Sequence, residues 1–428
     1  MKRIALIYSF KPSSWVSCQK IVSNLVKAYK LMDKEYDIKE FSFVDGMDGY
    51  DFHQSIEETR DFKADYIIFL DHKPHPIYYL DFLSKELEET GQKPKFIFHL
   101  YGDFTLNFNE WARIEKLIGN HEVLWYVASP RQKNLISEFI AKEQIEICPF
   151  PVNPAEFFVD PNLRDQVRKK YNWEKDEFIF IFTGRLSRQK RIHQLLETFA
   201  TFSKQSSVKT KLVLVGDTDK LGEPWLSKSE WEFEYFHVLQ KLLNKMDVSV
   251  RERIEFHGFR PNPELLGYYN AADCLVNISV HNDEDYGMSC AEAQACGLPA
   301  ILTDWAGFTG FNLDIPGAVR YVPVRLTKEA KQIKLSRLAE YLEASVQGKK
   351  IDRHLISKQS LAWTSIANAH RIISKNIKKL YTFTVFPSTM KEAALLEHYS
   401  HRYTFKHKKK QIFNAFYLKV YRHYVGKP

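Results

Sequence analysis

The stretch "FIFIFTGRLSRQKRIHQLL" (178–196) decides how the rest of the chain is read. Residues 178–182 are all large and apolar, a run of strand length without polar alternation, which is the mark of a strand buried on both faces. Gly184 then supplies a turn. Arg185 and Lys190 follow before apolar residues resume at helical spacing, so two cations stand beside a helix N-terminus, where they can stabilise a diphosphate. In parallel sheets built this way, ligands bind beyond the carboxyl ends of the strands.

The same type of run recurs on both sides. Upstream lie "IALIY" (4–8), "YIIFL" (66–70), "KFIFHL" (95–100), "VLWYV" (123–127) and "IEICPF" (145–150). Downstream lie "KLVLVGD" (211–217), "RIEFHG" (253–258), "DCLVNIS" (273–279) and "PAILTD" (299–304). Amphipathic stretches separate them, the alternation of a helix-covered parallel sheet. With 428 residues and 44% hydrophobic content the chain is long enough for two cores. The prolines of "PFPVNPAEFFVDPN" (149–162) mark the link between them. We therefore expect an N-terminal domain over 1–155 and a second domain over 165–356. Apolar residues at helical spacing over 357–378 predict one long closing helix, and 379–428 form an extension.

That extension holds the positive charge. The whole chain is +8, but residues 376–428 carry 11 Lys and Arg against 2 Asp and Glu, and the preceding 375 residues carry 50 against 51. An anionic partner is thus expected for the tail and not for the body. In "KKKQIFNAFYLKVYRHYV" (408–425), Ile412, Phe413, Phe416, Tyr417, Val420, Tyr421 and Tyr424 repeat at helical spacing, and Lys408, Lys409, Lys410, Lys419 and Arg422 surround that stripe. The pattern predicts an amphipathic helix that packs across the N-terminal domain or lies on an anionic membrane. Nucleic acid is not expected, since the body is neutral and has no binding module. No apolar run approaches the roughly 18 residues of a membrane span, and the N-terminus has no signal-peptide pattern, so the expected location is cytoplasmic, with peripheral contact at the inner face of the membrane. The five cysteines are scattered and are expected to be reduced.

Two further stretches suit a phosphate or a sugar. In "EDYGMSCAEAQAC" (284–296), Gly287 breaks the chain before a helix whose first N–H groups, at Met288 and Ser289, can meet a phosphate oxygen. Glu284 precedes that turn and Glu292 lies about one and a half turns inside the helix, so two carboxylates can reach opposite ends of one hydroxyl-rich ligand. In "EFHGFRPNPELLGYYNAADCLV" (255–276), Gly258 follows a strand and lets backbone approach a flat group such as a base.

Taken in order, these motifs resemble the nucleotide-sugar half of retaining GT-B glycosyltransferases, glycosyltransferase family 4. The resemblance is close over about 178–310 and looser over 1–160. It implies an α/β fold of two Rossmann-like, doubly wound domains facing a central cleft, with the basic aromatic extension added. It further implies that Gly184, Arg185 and Lys190 bind the donor diphosphate, that Glu284 contacts the sugar hydroxyls and that Glu292 takes the ribose. Gly287, Met288 and Ser289 would meet the sugar and distal phosphate, and Gly258 and Phe259 the base. "FIFHLYGDF" looks like the family's strand ending in an active-site histidine, which makes His99 the candidate there. Where the family has a glycine-rich first loop, this chain has "SFKPSSWVSCQ" (9–19), which puts Ser13, Ser14 and Trp15 at the acceptor or phosphate.

The activity implied is transfer of a sugar from a nucleotide-diphosphate sugar to a hydroxyl of a glycan or lipid-linked saccharide, with retention, without metal and without a bound cofactor. A GT-B nucleotide-sugar epimerase and a non-catalytic sugar-nucleotide-binding relative are the alternatives. The "DED" at 283–285 also fits the Asp-x-Asp metal motif of GT-A enzymes, but neighbouring cations can do the neutralising work. His72 and His75 have suggestive spacing without a third ligand and are read as loop residues.

Overall fold

A computed structural model describes residues 1–9, 16–42, 49–70, 76–102, 104, 108–119, 121–220, 234–328, 330–384, 386, 415 and 417–426. The chain divides into two units: Met1–Pro151 with Thr364–Val420, and Val152–Trp363 with Tyr421–Pro428. All ten apolar runs become strands, most of them buried on both faces inside a helix-covered sheet, whereas Ile145–Ile147 and Ile254–Phe256 are only partly buried.

Unit 1 runs β1 (Lys2–Tyr8), α1 (Val16–Lys30), β2 (Tyr36–Ser42), α2 (Gly49–Asp61), β3 (Tyr66–Phe69), α3 (Pro76–Glu89), β4 (Lys95–His99), α4 (Phe108–Ile118), β5 (Glu122–Val127), α5 (Pro130–Ile136) and β6 (Ile145–Ile147). Among the described residues its sheet has the order β2-β1-β3-β4-β5, parallel throughout, and β6 continues parallel on β5. This is a doubly wound order in which the chain reverses direction between β1 and β3.

Unit 2 runs α6 (Pro161–Lys170), β7 (Phe178–Thr183), α7 (Ile192–Gln205), β8 (Thr210–Val215), α8 (Tyr235–Asn244), α9 (Val248–Arg251), β9 (Ile254–Phe256), α10 (Asn262–Ala271), β10 (Cys274–Asn277), α11 (Met288–Ala295), β11 (Ala300–Thr303) and β12 (Val319–Val322). A small hairpin, β13 (Val324–Leu326) and β14 (Lys331–Ile333), and the helices α12 (Leu335–Gln347) and α13 (Arg353–Thr364) complete it. The sheet order is β9-β8-β7-β10-β11-β12, all parallel, so the reversal falls between β7 and β10. Leu195 and Phe199 of α7 and Leu338 and Leu342 of α12 cover Phe180, Leu212, Val276 and Ile301 of the sheet. Each such side chain contributes about 1.5–3 kcal/mol by leaving water.

Three arginines satisfy the carbonyls left over at the end of α10. Arg164 and Arg168 donate to Ala271 O, and Arg353 donates to Tyr269 O, Asn270 O and Ala272 O at 2.6–3.1 Å. Arg353 also reaches Cys296 O past α11 (3.0 Å), which ties the C-termini of α10 and α11 together. Burial pulls its guanidinium down to about 10, offset in part by Asp273.

The single helix expected over 357–378 is two: α13 ends at Thr364 and α14 (Ile366–Asn376) begins afresh. Ser365 has extended backbone and its hydroxyl accepts from Asn368 N–H (3.2 Å), an N-cap that restarts the helix. The break coincides with the return of the chain to unit 1, where α14 packs on α1 and β15 (Tyr381–Thr382) adds an antiparallel strand to β5. All five cysteines are buried thiols. No helix among the described residues is long and apolar enough to cross a membrane.

Candidate functional site

The donor-side candidates gather in unit 2, at the carboxyl ends of the strands flanking its reversal point. Gly184 ends β7 with φ +140°, and its N–H donates to Val215 O (3.0 Å). Gly216 ends β8 so close beneath it that a Cβ would stand 1.9 Å from Gly184 O, which leaves no other residue type there. Gly216 N–H donates to Gly258 O (2.9 Å), and Phe259 N–H donates to Asp217 Oδ1 (2.9 Å). The loops after β7, β8 and β9 are thereby laced into one rim. On it, Arg185 pairs with Asp219 at 2.7 Å, and the Phe259 ring is 53% exposed.

The loop after β10 brings the acid. Lys190, from the loop after β7, donates to Glu284 Oε1, and both are largely buried. Glu284 O accepts from Gly307 N–H (2.7 Å). A Cβ on Gly307 would lie 2.0 Å from Asp285 O, so only glycine permits this approach. Gly287 (φ +108°) caps α11 without a side chain, and the first bond inside the helix is Cys290 N–H to Gly287 O (3.0 Å). The N–H groups of Met288 and Ser289 precede that bond. Burial raises the pKa of the Cys290 thiol in the first turn of α11, and the Glu284 carboxylate raises it further.

Glu292 is buried on α11 and accepts from Tyr269 OH at 3.3 Å, whose oxygen also lies 2.8 Å from Thr183 Oγ1 at the end of β7. Beneath the acidic loop, His281 is buried and held neutral, its pKa driven down first by burial and then by Lys190, Lys331 and Arg185. Lys331, from β14, reaches Asn282 Oδ1 (3.1 Å) and lies over the Trp305 ring. Trp305 Nε1–H donates to His281 O (2.7 Å).

The structure therefore brings Gly184, Arg185, Lys190, Gly258, Phe259, Glu284, Gly287, Met288, Ser289 and Glu292 onto one sheet edge. His99 is placed differently. It lies in the core of unit 1, stacked on Tyr126 (4.8 Å, 28°), with Nε2 2.9 Å from Tyr29 OH and its pKa lowered to about 3 by burial. That is the setting of a packed, neutral histidine at the end of β4. Ser13, Ser14 and Trp15, and His72 and His75, lie outside the described residues. The "DED" carboxylates diverge: Glu284 to Lys190, Asp285 to Tyr424 OH (3.2 Å), and Asp283 toward His281 Nδ1 (3.9 Å). Among the described residues no group of three His, Cys, Asp or Glu gathers as metal ligands.

Asp219, Tyr269, His281, Trp305 and Lys331 were not singled out from the sequence. Asp219 arrives from the loop after β8 and Lys331 from β14, and nothing in their local pattern marks them. Tyr269, in "GYYNAAD", had a signal, since a tyrosine buried on a helix demands a polar partner for its hydroxyl.

Comparison with known proteins places this architecture. Residues 164–312 match the family of glycosyl transferases group 1. The alpha-monoglucosyldiacylglycerol synthase of Acholeplasma laidlawii is 29% identical over 163 residues, 37% of this chain and 36% of that protein. The lipopolysaccharide 1,2-N-acetylglucosaminetransferase of Salmonella typhimurium is 24% identical over 232 residues, 54% of this chain and 55% of that protein. The chain thus spans between about a third and about half of the curated relatives it matches. Among solved structures, Anabaena HepE in complex with UDP-glucose covers 89% of this chain and all of its own length, with a TM-score of 0.62 at 14% identity. WaaG, a glycosyltransferase involved in lipopolysaccharide biosynthesis, aligns with a TM-score of 0.56 over 88% of this chain and 99% of its own, at 13% identity. The fold is GT-B, with two Rossmann-like domains.

Proposed function

We propose that this chain is a retaining glycosyltransferase that moves a sugar from a nucleotide-diphosphate sugar to a hydroxyl of a glycan or lipid-linked saccharide, without a metal ion or bound cofactor. The observation that carries the proposal is the meeting of Lys190 and Glu284 beside the N-terminus of α11, at the reversal point of the sheet. As the glycosidic bond breaks, negative charge grows on the leaving diphosphate. Arg185, Lys190 and the N–H groups of Met288 and Ser289 are already in place to stabilise it. Both cations are held by carboxylates, Asp219 and Glu284, so a diphosphate that draws Lys190 toward itself frees Glu284 to accept from sugar hydroxyls. Glu292 takes the ribose hydroxyls, oriented by Tyr269, and the exposed Phe259 ring offers a face for the base. Retention is assigned without a protein nucleophile: the leaving phosphate itself assists deprotonation of the acceptor on the same face. The match to group 1 glycosyl transferases and the likeness to a structure that binds UDP-glucose support this assignment.

Incubation with a panel of nucleotide sugars, followed by release of nucleoside diphosphate and by the anomeric configuration of the product, tests it. Release with one donor, a retained anomer and full activity in EDTA are expected. Binding without release, an isomerised donor, or activity lost in EDTA and restored by manganese would each remove the corresponding part. The basic run Lys408, Lys409 and Lys410, outside the described residues, is proposed to hold the enzyme at an anionic, cytoplasmic membrane face near a lipid-linked acceptor. Flotation with anionic but not neutral vesicles at low salt is the expected result.

A further inference from the structure

The expected amphipathic stripe of the tail does not stay on one surface. Its described members Tyr417, Val420, Tyr421 and Tyr424 are all buried, and the first two belong to unit 1 while the last two belong to unit 2. The described end of the expected stripe is thus buried within the protein, whereas Ile412, Phe413 and Phe416 lie outside the described residues. Tyr421 lies parallel to the buried Trp305 (6.5 Å, 9°), Tyr424 meets the same ring edge-on (5.5 Å, 86°), and Val425 forms an antiparallel bridge with Trp305.

Apolar burial alone would let such a segment pack in many places, but its polar bond is specific. Tyr424 OH donates to Asp285 Oδ1 (3.2 Å), next to Glu284, and Trp305 donates to His281 O on the other side of Glu284. The tail thus grips the acidic loop at both ends, through Tyr424 directly and through Trp305 indirectly. Gly307, two residues beyond Trp305, in turn donates to Glu284 O.

We propose that residues 421–425 are a positioning element for the donor loop, with Tyr424 and Tyr421 as positioning residues that hold Glu284 where the sugar needs it. This rests on the donor-site assignment above. A segment near residue 424 is hence part of the support of the donor loop, through Asp285 and Trp305.

The test is Tyr424→Phe in the full chain, with Asp285→Asn and the double variant alongside. The ring stays in its slot and only the hydroxyl is lost, so the fold is kept. Amide hydrogen exchange over 281–287 should quicken several-fold while the rest of unit 2 is unchanged. Turnover should fall about tenfold, the scale of losing one hydrogen bond to a charged group. Affinity for bare nucleoside diphosphate, which depends on Arg185 and Lys190, should stay within about twofold, and the double variant should be no worse than the worse single one. A purely structural role would instead lower turnover and affinity together and quicken exchange throughout the unit. Unchanged exchange over 281–287 overturns the proposal, as does a parallel loss of both functions. If wild-type protein binds no nucleoside diphosphate, the donor assignment fails by itself, and the exchange measurement still decides whether the tail holds the loop.

Discussion

Two buried histidines, one in each unit, have their protons driven off for different reasons. His99 sits among Tyr29 and Tyr126, and burial alone lowers its pKa to about 3. His281 sits beneath an acidic loop, and to burial it adds the repulsion of Lys190, Lys331 and Arg185. A depressed histidine by itself therefore marks only packing. A depressed histidine surrounded by cations from the loop after β7 and from β14 marks a place where the chain has gathered charged groups at the end of a sheet, with Arg185 on Asp219, Lys190 on Glu284 and Lys331 on Asn282.

The contrast can be broken most sharply at Glu284. Glu284→Gln keeps the shape and removes the charge, and turnover should fall on the order of 10²–10³-fold, as when one preorganised polar group at a reacting centre is lost, with a lowered thermal transition because the largely buried Lys190 loses its ionic partner. Near-normal turnover would place Glu284 outside the chemistry. Next in size, Lys190→Met should weaken calorimetric binding of nucleoside diphosphate by about 10–100-fold, corresponding to about 1.5–3 kcal/mol for a charge-assisted contact. Equal affinity would mean that the Lys190–Glu284 pair is structural only.

The smallest effect belongs to His99. Its folded-state pKa lies below the ordinary value of 6.5, so the unfolded chain takes up a proton first as pH falls. The stability that neutral His99 contributes is present above about pH 6.5 and is lost toward about pH 3. His99→Gln should therefore flatten the pH dependence of stability in that window, by up to about 1.4 kcal/mol per pH unit, without changing nucleoside diphosphate affinity. Denaturant titrations of both proteins at pH 7 and pH 5 check the sign. A steeper dependence in the variant would contradict it.

How far the sequence could be read follows the same physics. Strands buried on both faces leave continuous apolar runs, so β7, β8, β10 and β11 were legible, and so was the order of motifs along the edge they form. β2 was not, because it is an edge strand in which exposed Asp37 and Lys39 and half-buried Glu40 interrupt the apolar residues Tyr36, Ile38 and Phe41. β12 is only partly buried and β13 to β15 are two or three residues long, so none of them leaves a continuous apolar run. The apolar pattern over 357–378 continues through Ser365, so periodicity alone could not reveal that a cap interrupts it. Residues 178–190 and 284–292 were legible as site segments because turn, charge and helix start fall together in a few residues. The support beneath them was not: Asp219 for Arg185, Lys331 for Asn282 and Tyr424 for Asp285 are each brought in from a distant part of the chain. The Tyr29 and Tyr126 partners of His99 were equally invisible, since a strand-end histidine looks alike in sequence whether it faces a ligand or a tyrosine.

The central claim is that the edge of unit 2 formed by the loops after β7 and β10 takes a nucleoside diphosphate. Hydrogen exchange of the full chain with and without a saturating nucleoside diphosphate measures this directly. Protection concentrated in 184–190 and 284–292, with the strand carrying His99 unaffected, is the result expected here. Protection centred on β4 and its neighbours, or none at a concentration where calorimetry detects binding, would contradict it.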